Sequence, residues 1–350
     1  KDISGVYYNP AGLAFMNKLS IAVNSNIYSF NRYIRNEITN GNEIIGDNLT
    51  LDPTLMGLNI SFDQFTLAFS IVMPNNKKSY IFEIFANNQS VKSETTMNMA
   101  LIGPSFAFKI TPNLSIGTSV YLQYHDYKQS ITGLYSSGAS ATQNQVTSFA
   151  LLPIFGLRIN ITPEIKAGIS YSMRSINFHS TNKYAKYNES SILVSGENDS
   201  YAATPHKLSA GIAYEKEKEI TLTFDFIYYF RLSYDAPNFL FHVNESDYTY
   251  EEVSHIDLAL GAELFFNESF SFRLGLFTNS SGTPDIDKNM KLNLYGASFG
   301  LGIWQGNFSS GFGITLMYGK SPVQKDSDSS NEVEVTSYSA TMNLSTTFRF

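Results

Sequence analysis

Six cationic side chains, Arg158, Lys166, Arg174, Arg231, Arg273 and Arg349, fall on the polar sides of runs that alternate apolar and polar residues. The chemistry open to them is recognition of an anion, since Arg can bind a carboxylate through two parallel N–H···O bonds. An amphipathic ligand needs an apolar lining beside such a cation. Segment 151–157 (LLPIFGL) is apolar on both alternate faces and leads directly into Arg158. Leu152 and Phe155 are therefore candidates for the lining and Arg158 for the head group. The competing reading pairs these cations with Asp225, Asp257 and Glu263 in a purely structural network.

No catalytic constellation accompanies them. His125, His179, His206, His242 and His255 are scattered, without a metal-ligand spacing, and the chain has no Cys. Neither spacing nor motif pairs a nucleophile with a base, so an enzyme is not expected, and no cofactor or metal is implied. The net charge of −7 and the lack of a basic run argue against nucleic acid.

The elements that position these residues read as strands. The 350 residues include 22 Tyr, 27 Phe and only 16% charged residues, against roughly 25% in a soluble domain. Mean hydropathy is near zero. No uncharged apolar stretch reaches the length of about 18 residues that suggests a membrane helix. The carboxy terminus, SATMNLSTTFRF, sets Ala340, Met342, Leu344, Thr346, Phe348 and Phe350 against Thr341, Asn343, Ser345, Thr347 and Arg349. That is the pattern of a strand between lipid and a wet lumen. Fourteen such strands are expected: 18–31, 52–62, 65–73, 96–110, 113–128, 146–161, 164–178, 205–214, 219–234, 253–266, 268–279, 291–305, 307–319 and 333–350.

Their connections alternate in length. Short turns at 63–64, 111–112, 162–163, 215–218, 267 and 306 alternate with long loops at 32–51, 74–95, 129–145, 179–204, 235–252, 280–290 and 320–332. Short periplasmic turns and long extracellular loops characterise bacterial outer-membrane barrels. The fold class expected is all-β, a transmembrane antiparallel β-barrel of 14 strands in the bacterial outer membrane, with membrane lipids around it. Gly103-Pro104 and Pro153 are expected to mark defects in the wall, because Pro cannot donate to a ladder.

The segment DISGVYYNPAGLA at 2–14 resembles the signature of the FadL family of outer-membrane transporters of long-chain fatty acids and aromatic hydrocarbons. Segments 53–69, 104–121, 204–229, 272–285 and 295–318 are similar in kind. The resemblance implies a fourteen-stranded barrel with an amino-terminal plug carrying an Asn-Pro-Ala motif, here Asn9, Pro10 and Ala11 followed by Gly12. It also singles out Arg273, which lies in one of the similar segments, as a head-group candidate. In the resembling family a kinked strand early in the barrel, nearer 65–73, lets an apolar solute leave sideways; which strand kinks in this chain stays open. Only eight residues precede the motif, so the plug is expected to be truncated: residues 1–17 form a residual plug segment and 18–350 the barrel. No signal peptide is present, and the chain reads as mature or amino-terminally incomplete. The function implied is passive transport of a hydrophobic or amphipathic small molecule by lumen relay and lateral exit. The alternatives are a FadL-like barrel docked to an outer-membrane protein partner in a secretion or assembly complex, and a general porin. A sealed lumen with a stable partner would mark the first, and a wide polar lumen without a plug the second.

Overall fold

A computed structural model describes residues 3–16, 19–36, 43–48, 52–84, 90–135, 138–188, 191–198, 203–236, 248–283, 291–321, 324–325 and 332–350. A short helix α1 (Gly5–Tyr8) and a 3-10 helix η1 (Pro10–Phe15) precede the strands. The first strands are β1 (Leu19–Asn36), β2 (Glu43–Asn48), β3 (Asp52–Ser61), β4 (Phe65–Ile84), β5 (Ser90–Thr111), β6 (Leu114–Tyr135) and β7 (Gly138–Asn160). Then come β8 (Ile165–Ser172), β9 (Ile176–Asn188), β10 (Ser191–Asn198), β11 (Lys207–Lys216), β12 (Ile220–Tyr229), β13 (Leu232–Ala236) and β14 (Tyr248–Glu252). The last are β15 (His255–Phe265), β16 (Phe270–Asn279), β17 (Asn293–Gln305), β18 (Phe308–Lys320), β19 (Gln324–Lys325) and β20 (Glu332–Arg349). Several segments share one stave of the wall: β2 continues β3, β8 runs on into β9, β10 into β11, β12 into β13, and β14 into β15. The staves form a closed antiparallel barrel of 14 strands. Closure joins the two ends of the chain: Ser20 pairs with Arg349, and the Phe350 N–H donates to the Leu19 carbonyl at 2.9 Å. A closed sheet leaves no edge unpaired in lipid.

Alternation sorts the side chains. On β20, Met342, Leu344 and Phe348 are exposed and outward, while Ser337 and Ser339 are buried on the other face. On β17, Tyr295, Phe299, Leu301 and Ile303 face out, opposite the buried Gly302. This outward apolar surface is the one expected to meet lipid, and among the described residues no helix is long and apolar enough to cross a membrane.

Four expected loops are corrected here; 179–204 carries the end of β9 and all of β10, and 32–51 carries the end of β1 and all of β2. Most of 74–95 and 129–145 is strand, because β4 and β5 pair as far as Ile84↔Ser90, and β6 and β7 as far as Tyr135↔Gly138. Their Asn, Ser, Thr and Gln content suggested loops. Above the bilayer, however, both faces of a hairpin are wet, so the ladder continues without apolar alternation. The tips at 85–89 and 136–137 lie outside the described residues, as do most of 235–252, 280–290 and 320–332 and parts of 32–51 and 179–204.

The turn end and the long-hairpin end should differ in accessibility. A single Cys at the exposed Gln64, introduced into this Cys-free chain, is expected to resist an impermeant maleimide on intact cells and to react once the outer membrane is permeabilised. Labelling of intact cells at Gln64 would invert the topology.

Candidate functional site

Residues 3–16 lie against the inner wall. Pro10 forces the preceding residue out of the helical region, and Asn9 is extended, with φ −156° and ψ 97°. That break separates α1 from η1 and frees the Asn9 side chain. Its Oδ1 accepts from the Ala11 N–H at 3.1 Å and caps η1. Its Nδ2 donates across to the Leu157 carbonyl at 3.1 Å and the Ile169 carbonyl at 3.3 Å. Leu157 and Ile169 are paired residues of β7 and β8, so one amide bridges two staves.

The wall answers with hydroxyls and glycines. Ser115 donates to the Ala11 carbonyl at 2.8 Å, Ser119 to Val6 at 2.6 Å and Ser170 to Tyr8 at 2.6 Å. Gly117, Gly156 and Gly168 make room: a Cβ on any of them would fall within 2.2–2.7 Å of Asn9, Pro10 or Ala11. Ile3, Val6, Leu13 and Ala14 pack on Leu55, Val72, Leu101, Tyr121, Leu152 and Ile154 in one buried cluster.

Segment 151–157 is thereby resolved. Leu152 and Ile154 are buried inward against the amino-terminal segment, whereas Leu151, Phe155 and Leu157 are outward. Phe155, expected to line a ligand site, instead stands 48% exposed on the apolar outer surface. Strand alternation places it one step out of phase with Leu152. Arg158 does point inward, but its guanidinium lies 4.7 Å from the Phe15 ring, beneath the segment and next to Gly12.

The other cations are mostly matched. Lys166 pairs with Glu215 and Arg231 with Glu251 at 3.0 Å. Arg273 Nε donates to Glu263 at 2.9 Å, and Arg349 lies 5.1 Å from the Trp304 ring. Asp257 accepts from Thr278 and from the Ser280 N–H rather than from a cation.

The wall itself is interrupted. Pro153 has no N–H to offer, although its carbonyl accepts from the Met173 N–H at 3.0 Å, and opposite it residues 173–175 are coil. Among the described residues, the ladder between the seventh and eighth staves runs to Lys207↔Ser172, coil follows at 173–175 and 203–206, and pairing is described again from Asn198↔Asn182, with 199–202 outside the described residues. Apolar outward residues lie both below this break (Ile169, Ile212) and above it (Ile176, Phe178), so it sits within the apolar band. Its lip is tied by the His206 ring, whose Nδ1 is 2.8 Å from the Tyr171 hydroxyl and accepts from the Arg174 N–H at 3.0 Å. Ser175 and Thr204 join across it: the Ser175 N–H donates to the Thr204 carbonyl at 3.1 Å, and the Thr204 N–H to Ser175 Oγ at 2.8 Å. On the lumen side, the Lys207 ammonium stands 4.7 Å from the Tyr7 ring and makes no ion pair among the described residues.

The family model described as outer membrane protein transport protein (OMPP1/FadL/TodX) matches residues 1–350. The chain belongs to that family.

It is an outer-membrane protein of a transport family and not an enzyme family. No curated protein matches the sequence. Solved structures share the fold of this OMPP1/FadL/TodX member. A Pseudomonas aeruginosa FadL homologue is 16% identical with a TM-score of 0.75, covering 100% of this chain and 94% of that one. The Pseudomonas putida toluene transporter TodX is 11% identical with a TM-score of 0.70, again covering 100% and 94%. The Ralstonia pickettii toluene transporter TbuX is 13% identical with a TM-score of 0.69, with the same coverage.

In the sequence of this family member, Lys207 and Trp304 carried no assigned role and His206 counted only among the scattered histidines. The TPHK run at 204–207 and the chain's single Trp were visible. Nothing local, however, shows that His206 and Lys207 border a break in a neighbouring stave. Early in the barrel, β4 and β5 show a register shift between Val72 and Asn75. The coil interruptions lie in later staves, at 173–175, 203–206, 230–231 and 253–254.

Proposed function

We propose that this protein passes hydrophobic and amphipathic small molecules across the outer membrane, releasing them sideways into the bilayer. Long-chain fatty acids, with an apolar body and an acidic head, fit this reading. The observation that carries it is the interruption of the ladder where 173–175 and 203–206 turn to coil, set within the apolar outer band. A solute leaving there meets lipid directly and never crosses a polar mouth. The amino-terminal segment beside the break acts as a plug: Tyr7 and Lys207 line the approach, and the Asn9 bridge holds the segment to β7 and β8. The toluene transporters among the solved structures handle an apolar solute by their names, which supports the same class of cargo here.

A disulfide across the lip tests the exit. Ser175→Cys with Thr204→Cys introduces the only two thiols in the chain, at positions already hydrogen-bonded to each other. Oxidation should lower uptake of a labelled long-chain fatty acid by cells expressing the protein, and reduction should restore it. Equal uptake in the two states would discard lateral exit at this break.

A further inference from the structure

We propose a second binding site, for a compact monocarboxylic acid, in a glycine-floored groove on the inner face of β16, β17, β18 and β20. It rests on the reading of the lumen as a conduit for amphipathic molecules and narrows the ligand to one chemistry.

The groove is a cavity of about 270 Å³ lined by Arg273, Ser298, Gly300, Gly313, Asn343 and Ser345, among others. That is slightly below the range of drug-sized sites, roughly 300–1,000 Å³, so the occupant is small. None of the residues that seat the amino-terminal segment lines it.

Arg273 is set up to receive an anion. Its Nε donates to Glu263 Oε1 at 2.9 Å, and Glu263 also accepts from Ser271 at 2.7 Å, which fixes the guanidinium plane. Trp304 flanks the guanidinium at 5.9 Å. Its Nη1 and Nη2 donate to no group among the described residues. They lie over Gly311 and Gly302, where a Cβ would stand 2.9 Å from Nη1 and 3.2 Å from Nη2. Glycines at these two positions let the fork lie on the backbone.

The chemistry of the fork selects the ligand. Two coplanar N–H donors match the two oxygens of a carboxylate. Glu263, already on the same guanidinium, disfavours a dianion such as a phosphate monoester by like-charge repulsion. Beyond Arg273 the floor continues over Gly300 and Gly313. A Cβ at Gly313 would meet only the Phe299 carbonyl at 3.4 Å and Asn343 Nδ2 at 4.0 Å. The space above is therefore open to a ring or a short chain lying flat on the backbone.

Trp304 is the chain's single Trp and serves as the reporter. Purified full-length protein is titrated with cyclohexanecarboxylate, and in parallel with cyclohexylmethanol, while Trp304 fluorescence is followed. The carboxylate should give a saturable change and the alcohol none. Arg273→Gln should weaken binding by about tenfold or more, the effect of losing charge-assisted bonds. Gly313→Leu, which fills the groove and leaves Arg273 in place, should also abolish it. The heat-modified gel mobility of a folded barrel confirms that both variants are folded. Equal response to acid and alcohol, or unchanged binding in both folded variants, overturns the proposal. Hydrocarbon uptake by wild-type cells reads the transport function separately: its loss with carboxylate binding intact would remove the conduit and leave the groove.

Discussion

Valine at Gly156 is expected to lift the amino-terminal segment off the wall. A Cβ there would stand 2.2 Å from Asn9 Oδ1, 3.0 Å from Pro10 Cδ and 3.1 Å from the Ala11 nitrogen. None of these atoms can swing aside. Pro10 is a closed ring, and the Asn9 amide is held by Ala11, Leu157 and Ile169. The segment must move as a unit, and the bonds from Ser115, Ser119 and Ser170 are then lost together. Overpacking alone costs roughly 1–3 kcal/mol, and each hydrogen bond given up adds about 0.5–1.5 kcal/mol. Limited proteolysis should release the amino terminus in Gly156→Val and spare it in the wild type, with a matching drop in denaturant midpoint. Gly313→Ala is the control, because a Cβ there meets nothing closer than 3.4 Å. A protected amino terminus and an unchanged midpoint in Gly156→Val would show that the segment does not depend on the glycine seat.

Arginine at Leu260 should be the most damaging single change on the outer surface. Leu260 is 54% exposed, and its two cross-strand partners, Phe224 and Leu276, are exposed on the same face. This places it in the middle of the apolar band. A charge on the lipid face near the midplane costs about 2–4 kcal/mol. Ser298→Arg carries the same charge but opens into the groove beside Asn343 and Ser345, where water and polar groups receive it. Unfolding of the two variants by denaturant in bilayers should separate them, with Leu260→Arg well below wild type and Ser298→Arg close to it. Equal losses would mean that the two faces are not sorted between lipid and lumen as described.

The contrast between those two variants also marks what is local in this protein. Alternation at period two belongs to any extended chain, because successive side chains point to opposite sides. The outward row Leu222, Phe224 and the inward Thr223, Asp225 could therefore be read from residue types alone. So could the short turns, where Thr-Pro or a single Gly leaves no room for another conformation; Gly306 has φ +55°, as a tight turn between β17 and β18 requires. The bend at Asn9-Pro10 was equally legible, because Pro restricts the residue before it.

What the sequence left open depends on which inner face meets which object. LLPIFGL is apolar on both sides for two unrelated reasons: Leu151, Phe155 and Leu157 meet lipid, while Leu152 and Ile154 meet Ile3, Val6 and Leu13 more than a hundred residues away. A period-two pattern cannot distinguish those solvents, so Phe155 was assigned to the lumen. Arg158 and Arg273 are the same residue type in similar strands. One is roofed by Phe15 and the other faces an open groove, because the amino-terminal segment seats over the staves from β3 to β8 and not over β16, β17 and β18. Pro153 announced a missing donor, but nothing local to it announced that residues 173–175 of the neighbouring stave are coil or that His206 ties that edge. Residue types and their alternation thus determined the barrel by themselves. Only the tertiary structure decided which wall residues are covered, paired or left facing the lumen, since those outcomes rest on contacts between segments far apart in the chain.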